Sequence, residues 1–115
     1  MAYQHNEIPL IQKTYEAYRD LHQYVKAFPK SDKYCLGEKI KNINLEIMEL
    51  LIDAETAKRD WKSPLLQKAS RKTDLLKLLL RLANEIKILD DKKYLSLTEK
   101  LQEIGRMLGG WRRSI

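Results

Sequence analysis

Apolar residues recur three or four positions apart along most of the chain, which is the period of one face of an α-helix. The first such run follows Pro9 and comprises Ile11, Tyr15, Tyr18, Leu21, Val25 and Phe28. Proline suits the first turn of a helix but disfavours helical geometry in the residue before it. The pattern therefore predicts a helix over about 9–28, stopped by Pro29, with Ser31 or Asp32 capping the next helix.

A second helix is predicted over about 33–57. Its main seam consists of Leu36, Ile40, Ile43, Ile47, Leu50 and Ala54, and a neighbouring stripe consists of Leu45, Met48 and Ile52. Two apolar stripes indicate that this helix is covered on two sides. Gly37 lies in its first turns, and because glycine costs about 1 kcal/mol in a helix interior, we expect a close contact there.

The third predicted helix, over about 64–89, is the most apolar part of the chain. We expect Lys58–Lys62 to be a polar connection with an exposed Trp61, followed by Ser63 and Pro64 as the cap and first turn. The expected core face is Leu65, Ala69, Leu76, Leu79, Leu80, Ala83 and Ile86, and the apolar arc extends over Leu75, Leu78, Leu82 and Leu89. So wide an arc needs more cover than a small bundle provides, so it predicts an oligomer interface.

The fourth predicted helix runs over about 92–108, capped by Asp90 or Asp91 and ended by Gly109 and Gly110. Its seam contains Gly105, which we interpret as a point of close helix–helix contact. The seam residues are Tyr94, Leu97, Leu101, Ile104, Leu108 and Trp111. Strand-like alternation occurs nowhere in the sequence. Four helices with short connections predict an all-α, antiparallel up-down-up-down four-helix bundle, with a single domain over 1–115.

The net charge of the 115-residue chain is +6, and it is unevenly distributed. Residues 1–57 hold 7 Lys/Arg and 9 Asp/Glu, whereas residues 58–115 hold 15 Lys/Arg and 7 Asp/Glu. A basic half favours nucleic acid or another polyanion as partner, although a lysine-rich solvated surface would give the same count. A single cysteine excludes an intrachain disulfide. Without a membrane-length apolar run, and without a secretory signal in residues 1–10, we expect a cytoplasmic protein that does not enter membranes.

The histidines do not form a metal site of the kind found in four-helix bundles. A di-iron site needs a Glu-x-x-His pair on each of two helices. The residues three positions before His5 and His22 are Ala2 and Arg19, so neither pair exists. The sequence therefore predicts no metal and no cofactor.

Candidate catalytic groups are equally sparse. Glu46 and Glu49 share a helix face but have no supporting histidine, so we interpret them as solvated charges. Cys35 has no imidazole nearby in the sequence to activate it as a nucleophile, and we interpret it as a packed thiol. Phosphate-binding loops and nucleophile elbows are absent from the sequence. We expect no enzymatic activity.

Basic residues of the third predicted helix are the best candidates for binding. They are Lys68, Arg71, Lys72, Lys77, Arg81 and Lys87, and Arg106, Arg112 and Arg113 extend the set through the C-terminus. Lys77 and Arg81 are one turn apart, and repeated around an oligomer they would form a positive ring suited to phosphates. Alternatively, Asp74 and Glu85 neutralise them as ordinary surface pairs, and the C-terminal arginines are a disordered tail.

The aromatic residues add little to this interpretation. Tyr15, Tyr18 and Trp111 lie in the predicted core seams, where they are not free to stack on bases. The tyrosines and tryptophan expected to be exposed are Tyr3, Tyr24 and Trp61. We therefore expect contact with the phosphate backbone of RNA, and possibly of DNA, rather than sequence-specific reading of bases.

Two blocks of the sequence resemble a bacterial family of four-helix bundles. Residues 28–30 (Phe-Pro-Lys) and 33–40 (Lys-Tyr-Cys-Leu-Gly-Glu-Lys-Ile) are similar to the junction of the first two helices in that family. The family includes the ribosomal-RNA intervening-sequence proteins and the accessory variability determinants of diversity-generating retroelements. Residues 103–111 (Glu-Ile-Gly-Arg-Met-Leu-Gly-Gly-Trp) and the leucine-rich third helix resemble the accessory variability determinants more specifically. The resemblance covers about Ile8 to Trp111.

The resemblance to the accessory variability determinants implies a barrel-like homopentamer of four-helix bundles. It also implies an accessory protein that binds a reverse transcriptase and its template RNA and supports mutagenic complementary-DNA synthesis in a bacterium or phage. Basic residues at the positions of Lys77 and Arg81 are implied to carry the binding, although lysine at position 77 lacks the planar fork of arginine. The alternative is an oligomeric interaction protein of the intervening-sequence type, without a polymerase partner.

Overall fold

Four long helices and one short helix form the described part of the chain, residues 9–115 of a computed structural model. They are α1 (Pro9–Lys26), α2 (Lys30–Lys33), α3 (Leu36–Thr56), α4 (Arg59–Glu85) and α5 (Asp91–Arg113). Tyr3 and His5 lie outside the described residues. The predicted all-α class and the four main helices are confirmed, and the short α2 is an addition. None of the described helices is long and apolar enough to cross a membrane.

Contacts between neighbouring helices show that they run antiparallel. The carbonyl of Thr14 on α1 accepts a hydrogen bond from the side chain of Asn44 on α3, and Val25 of α1 lies against Gly37 of α3. Residue numbers therefore increase along α1 in the direction in which they decrease along α3. The remaining neighbours, α3 with α4, α4 with α5 and α5 with α1, close the bundle. Between α3 and α4, Ala54 lies by Lys62 and Glu46 by Lys72, so this pair is antiparallel as well. Between α1 and α5, Tyr24 lies by Lys93 and Asp20 by Lys100, which gives the same sense. The longest axis of the bundle is 43 Å, about the length of a 27-residue helix.

The core lies between the four long helices and consists largely of residues from the predicted seams. Each large apolar side chain that is fully buried contributes roughly 1.5–3 kcal/mol to stability. The larger buried side chains include Ile11, Leu21, Ile40, Ile43, Ile47, Leu51, Leu66, Leu76, Leu80, Leu97, Leu101 and Ile104. The seams of the second and fourth predicted helices are the most accurate, with Leu51 rather than Leu50 as the fully buried residue.

The start of α4 differs from the prediction. The helix begins at Arg59, so Lys58–Lys62 is not a connection and Pro64 does not open the helix. Pro64 is the sixth helical residue, and its missing N–H removes only the bond to the carbonyl of Asp60. Asp60 is exposed, so solvent can satisfy that carbonyl. The proline therefore does not end the helix.

Lys62 fixes the sharp connection between α3 and α4. Its Nζ donates hydrogen bonds to the carbonyls of Ala54 and Glu55, at 2.6 and 3.0 Å. These carbonyls belong to the last turn of α3, where they have no partner within the helix. The contact explains how two helices of 21 and 27 residues meet across only two intervening positions.

The C-terminal end of α4 lies four residues before the predicted end. Lys87 adopts a positive φ of 68°, and the N–H of Ile88 donates to the carbonyl of Ala83, which closes the helix. Leu89 is buried in the turn that follows. Asp90 is the N-cap of α5, since its side chain accepts from the N–H of Lys93 at 2.8 Å, so the predicted cap is confirmed.

Gly109 and Gly110 do not end the last helix. The helix α5 continues to Arg113, and neither glycine has a positive φ. Leu108 is buried and Trp111 packs partly against the core, so the apolar seam continues past the two glycines. The predicted end is therefore wrong, and so is the alternative of a disordered arginine tail.

The N-terminus of α3 also differs from the prediction. Neither Ser31 nor Asp32 caps this helix, because residues 30–33 form the separate turn α2 and the chain restarts at Leu36. Cys35 precedes α3 without a side-chain cap, and its N–H donates to the carbonyl of Asp32. Cys35 is exposed, so its interpretation as a packed thiol is wrong.

Several predicted core positions lie at the surface. Tyr15 and Ile86 are about half exposed, at 51% and 47%, because the core faces of α1 and α4 are narrower than the sequence pattern suggests. Leu66 and Thr73 are buried instead. Thr73 is tolerated in the core because its hydroxyl donates to the carbonyl of Ala69 at 2.9 Å.

Candidate nucleic-acid interface

Lys77 and Arg81 lie on the side of α4 that faces α5. The ammonium of Lys77 lies 3.6 Å from the point that a Cβ at Gly105 would occupy, so the lysine reaches across the groove between the two helices. Lys77 is half-buried, and Arg81, one turn further along, is exposed. Among residues 9–115, Lys77 makes no ion pair within 4.0 Å. The two predicted cations therefore share one edge of the bundle, in different environments.

Arg81 is partly neutralised by its own helix. Its Nε donates to Oε2 of Glu85 at 3.1 Å, one turn away, and both side chains are more than 60% exposed. An exposed pair at this spacing contributes only about 0.3–0.5 kcal/mol, so a stronger anionic ligand can displace the glutamate. The alternative is that acidic residues neutralise both cations. It is correct for Arg81, which pairs with Glu85, but not for Lys77, which makes no ion pair with Asp74.

The C-terminal arginines lie on α5 rather than in a tail. Arg113 folds back along its helix, with Nη1 3.3 Å from the Cβ position of Gly109. Because Gly109 is one turn beyond Gly105, this guanidinium lies along the same side of α5 as the ammonium of Lys77. We call Lys77, Arg81 and Arg113 the basic face. Arg106 pairs with Glu103 on the exposed surface, and Arg112 is exposed next to the end of the helix.

Lys68 and Lys72 lie on the opposite edge of α4, against α3. Lys72 donates to Glu46 at 2.9 Å, and this hydrogen bond holds the pKa of the Glu46 carboxyl below its ordinary value of 4.5. Burial opposes this effect by raising the pKa, and the charges of Lys72, Lys39 and Lys68 lower it further. The sequence analysis missed Lys39, which lies two turns before Glu46 on the same helix, α3. Three lysines around one carboxylate form a second, separate basic cluster.

The other two candidates of the sequence analysis are further apart. Lys87 stands in the turn after α4 with its positive φ, close to Glu85, Asp90 and Asp91 along the rim of a shallow groove. Arg71 is exposed on α4, one turn before Leu75. The nine predicted basic residues therefore do not form one patch, and Lys77 is the one among them whose ammonium lies over the backbone of α5.

A stripe of exposed apolar residues separates the two basic edges of α4. It consists of Leu75, Leu78, Leu82 and Ile86, which are between 36% and 55% exposed and follow helical spacing. We call these four residues the leucine stripe. A run of large apolar side chains on one exposed helix face is typical of a protein–protein contact surface. Of the predicted apolar arc, Leu75, Leu78 and Leu82 are thus exposed in the single chain, whereas Leu89 is buried.

His22 and Glu46 are the other polar candidates that the sequence analysis considered. His22 is exposed on α1, where its ring lies 6.3 Å from that of Tyr18, one turn earlier. Within residues 9–115, no three His, Cys, Asp or Glu side chains converge in a way that could hold a metal ion. Glu46 belongs to the lysine cluster rather than to a carboxylate pair with Glu49.

Tyr24 and Trp61 differ in their suitability for stacking. Trp61 is 65% exposed, as predicted, near the start of α4. Tyr24 is only half-exposed and its ring lies 5.3 Å from the ammonium of Lys93. Among residues 9–115, the cation–ring contact is that of Lys93 with Tyr24, so neither ring stacks on a cation of the basic face.

Comparison with protein-family models gives a match over the described residues. A family model described as bAvd-like matches residues 9–115, the whole described part of the chain. The matched range contains residues 28–40 and 103–111, the two blocks on which the resemblance rests, and all nine candidate basic residues. A comparison with curated proteins finds no match.

Proposed function

Because the chain belongs to the bAvd-like family, the bacterial accessory variability determinants of diversity-generating retroelements, we propose that it binds the retroelement's reverse transcriptase and template RNA. In this role it acts in the cytoplasm as a non-catalytic subunit that supports mutagenic complementary-DNA synthesis. The observation that carries the proposal is the basic face on a chain of this family. The family match favours this role over that of an intervening-sequence protein without a polymerase partner.

The basic face has the properties that phosphate binding requires. Lys77 has no ion partner among residues 9–115, so no salt bridge has to break before a phosphate approaches it. Arg81 loses only a weak exposed pair, and Arg113 supplies a guanidinium that can bind a phosphate in two-point fashion. Neutralising several phosphates releases counterions, so binding to RNA should weaken steeply with salt.

Charge reversal tests the assignment. The variant Lys77→Glu/Arg81→Glu should lose at least about tenfold in affinity for single-stranded RNA, measured by fluorescence anisotropy at fixed salt, and should no longer co-purify with the reverse transcriptase. The matched control Arg19→Glu/Lys30→Glu changes the net charge equally at exposed positions outside the basic face. If both double variants lose affinity equally, net charge rather than the basic face determines binding.

A third variant should strengthen RNA binding by the basic face instead of weakening it. Replacing Glu85 by glutamine removes the carboxylate that occupies Arg81, so RNA affinity should rise, by roughly two- to threefold for the loss of one weak competing pair. Unchanged or weaker binding would show that Arg81 does not contact the RNA.

We also propose that the leucine stripe is the contact between subunits of a homo-oligomer. The apolar side chains of Leu78 and Leu82 are about half exposed in the single chain, and burying apolar surface contributes about 25 cal/mol per Å². Five subunits are expected from the resemblance alone. Sedimentation velocity should give a pentamer for the parent and a monomer for Leu78→Glu/Leu82→Glu. A monomeric parent at micromolar concentration contradicts the proposal.

A further inference from the structure

Gly105 lies in the middle of α5, where the backbone conformation does not require glycine. A glycine in a helix interior costs about 1 kcal/mol relative to alanine. Glycine is favourable despite this cost where the backbone needs a positive φ, but none of the described glycines has a positive φ. The conformation of α5 therefore accepts any helix-forming residue at position 105.

Packing between the helices does not require this glycine either. A Cβ at Gly105 would meet only one atom outside its own helix within 4 Å, the ammonium nitrogen of Lys77 at 3.6 Å, which is an ordinary van der Waals distance. Gly37 is different, since its Cβ would lie 2.6 Å from a methyl group of Val25. The close helix contact predicted at Gly105 is therefore wrong, and the confirmed one is at Gly37.

Outside its own helix, the only atom within 4 Å of the Cβ position of Gly105 is thus the ammonium nitrogen of Lys77, in the basic face. The half-buried Lys77 extends over the bare backbone of α5. A leucine or other long side chain at position 105 would stand beside or over the ammonium, and would either displace it or cover it from solvent. Glycine leaves the ammonium uncovered.

We propose that Gly105 is a positioning residue that keeps the ammonium of Lys77 open to one phosphate of bound single-stranded RNA. The proposal rests on the proposed function, because it assigns a ligand atom to the same basic face. The partly buried stem of Lys77 restricts the side chain before binding, so less rotamer entropy is lost when a phosphate arrives. The absent side chain at position 105 lets the phosphate approach from above α5, where only helix backbone lies.

A double-mutant cycle tests this positioning role. Affinity for a 20-nucleotide oligouridylate is measured by anisotropy between 50 and 300 mM salt for the parent, Gly105→Leu, Lys77→Met and the double variant. Gly105→Leu should weaken binding by roughly three- to tenfold, as expected for one lost charge-assisted contact. The slope of log K against log salt should fall by about 0.7, as for Lys77→Met, since one phosphate contact is lost. The double variant should bind no more weakly than Lys77→Met alone.

Ser96→Leu is the size-matched control. Ser96 lies on the other side of α5, next to Lys13 of α1, and should bind RNA like the parent. Circular dichroism should show that Gly105→Leu is folded and unfolds at or above the temperature of the parent, because leucine is the better helix former.

Three results would overturn the positioning role. In the first, Gly105→Leu keeps the affinity and salt slope of the parent. In the second, its loss adds in full to that of Lys77→Met, so that it acts independently of the lysine. In both cases the proposed function still stands, because the parent binds RNA. If the parent itself does not bind RNA at low salt, the RNA-binding function and the role of Gly105 fall together.

Discussion

Replacing Gly37 by alanine should destabilise the bundle, although alanine is the better helix former. Gly37 is the second residue of α3 and packs under the end of α1. An added Cβ would lie 2.6 Å from Cγ1 of Val25, 3.4 Å from the carbonyl oxygen of Asp32 and 3.5 Å from the ring of Phe28. The last two distances need little adjustment, so the contact with Val25 decides the effect.

The size of the effect follows from that contact. Carbon atoms pack at about 3.5–4.0 Å, so Val25 or the helix must move by about 1 Å. Val25 is 1% exposed, and the valine side chain has one strongly preferred rotamer in a helix, so the methyl group cannot turn away cheaply. Overpacking of this kind costs about 1–3 kcal/mol, and the gain in helix propensity offsets at most about 1 kcal/mol. The net loss should be about 1–2 kcal/mol, or a melting temperature lower by roughly 4–8 °C.

Urea unfolding followed by circular dichroism at 222 nm measures this loss directly. Val25→Ala alone should also destabilise the bundle, by leaving a cavity. Because the alanine at position 25 removes the clashing methyl group, Val25→Ala/Gly37→Ala should be more stable than the sum of the two losses by at least about 0.5 kcal/mol. A Gly37→Ala variant as stable as the parent would refute the close contact between α1 and α3.

Three further substitutions test individual features of the fold. Lys62→Met removes both hydrogen bonds to the last carbonyls of α3 and should cost about 0.5–1.5 kcal/mol in urea unfolding; an unchanged midpoint would mean that the lysine does not cap the helix. Lys87→Gly should raise the melting temperature by a few degrees because glycine accepts the φ of 68° without strain, whereas Lys87→Ala should not. Glu46→Gln should lower stability near neutral pH by under about 1 kcal/mol, because the partly exposed pair with Lys72 is lost. Since the folded pKa of Glu46 is depressed, the difference from the parent should fade as the pH falls below 4.5, and a difference that grows in acid would contradict the sign.

Helix type could be read from the sequence, but several helix ends could not. The spacing of apolar residues places α1, α3, α4 and α5 correctly because burial of an amphipathic face is what stabilises a helix in a bundle. The ends depend on local devices that have no strong pattern. Pro64 is tolerated because the lost bond is near the exposed start of α4, and a lysine ends α4 at position 87, where a sequence pattern would favour glycine.

The positions of the candidate basic residues relative to one another could be predicted only in part. One-turn spacing places Lys77 and Arg81 on the same side of α4, and that follows from helix geometry alone. Which neighbour each cation meets depends on how the helices are rotated against one another, and the sequence gives no signal for this. Lys72 therefore lies against α3, where it meets Glu46, whereas Lys77 reaches over Gly105 of α5.

The arrangement of α4 makes its two proposed roles separable. The leucine stripe occupies the outer side of the helix, and Lys77 and Arg81 lie on the side that faces α5. If the stripe joins subunits and the basic face binds RNA, Leu78→Glu/Leu82→Glu should dissociate the oligomer while each monomer keeps its cations. Lys77→Glu/Arg81→Glu should leave the oligomer intact and abolish RNA binding.

The monomeric variant should still bind RNA more weakly than the parent, with a shallower salt dependence. The reason is that several weak phosphate contacts on linked subunits reinforce one another. Equal affinity of monomer and oligomer would mean that a single basic face binds the RNA without help from its copies.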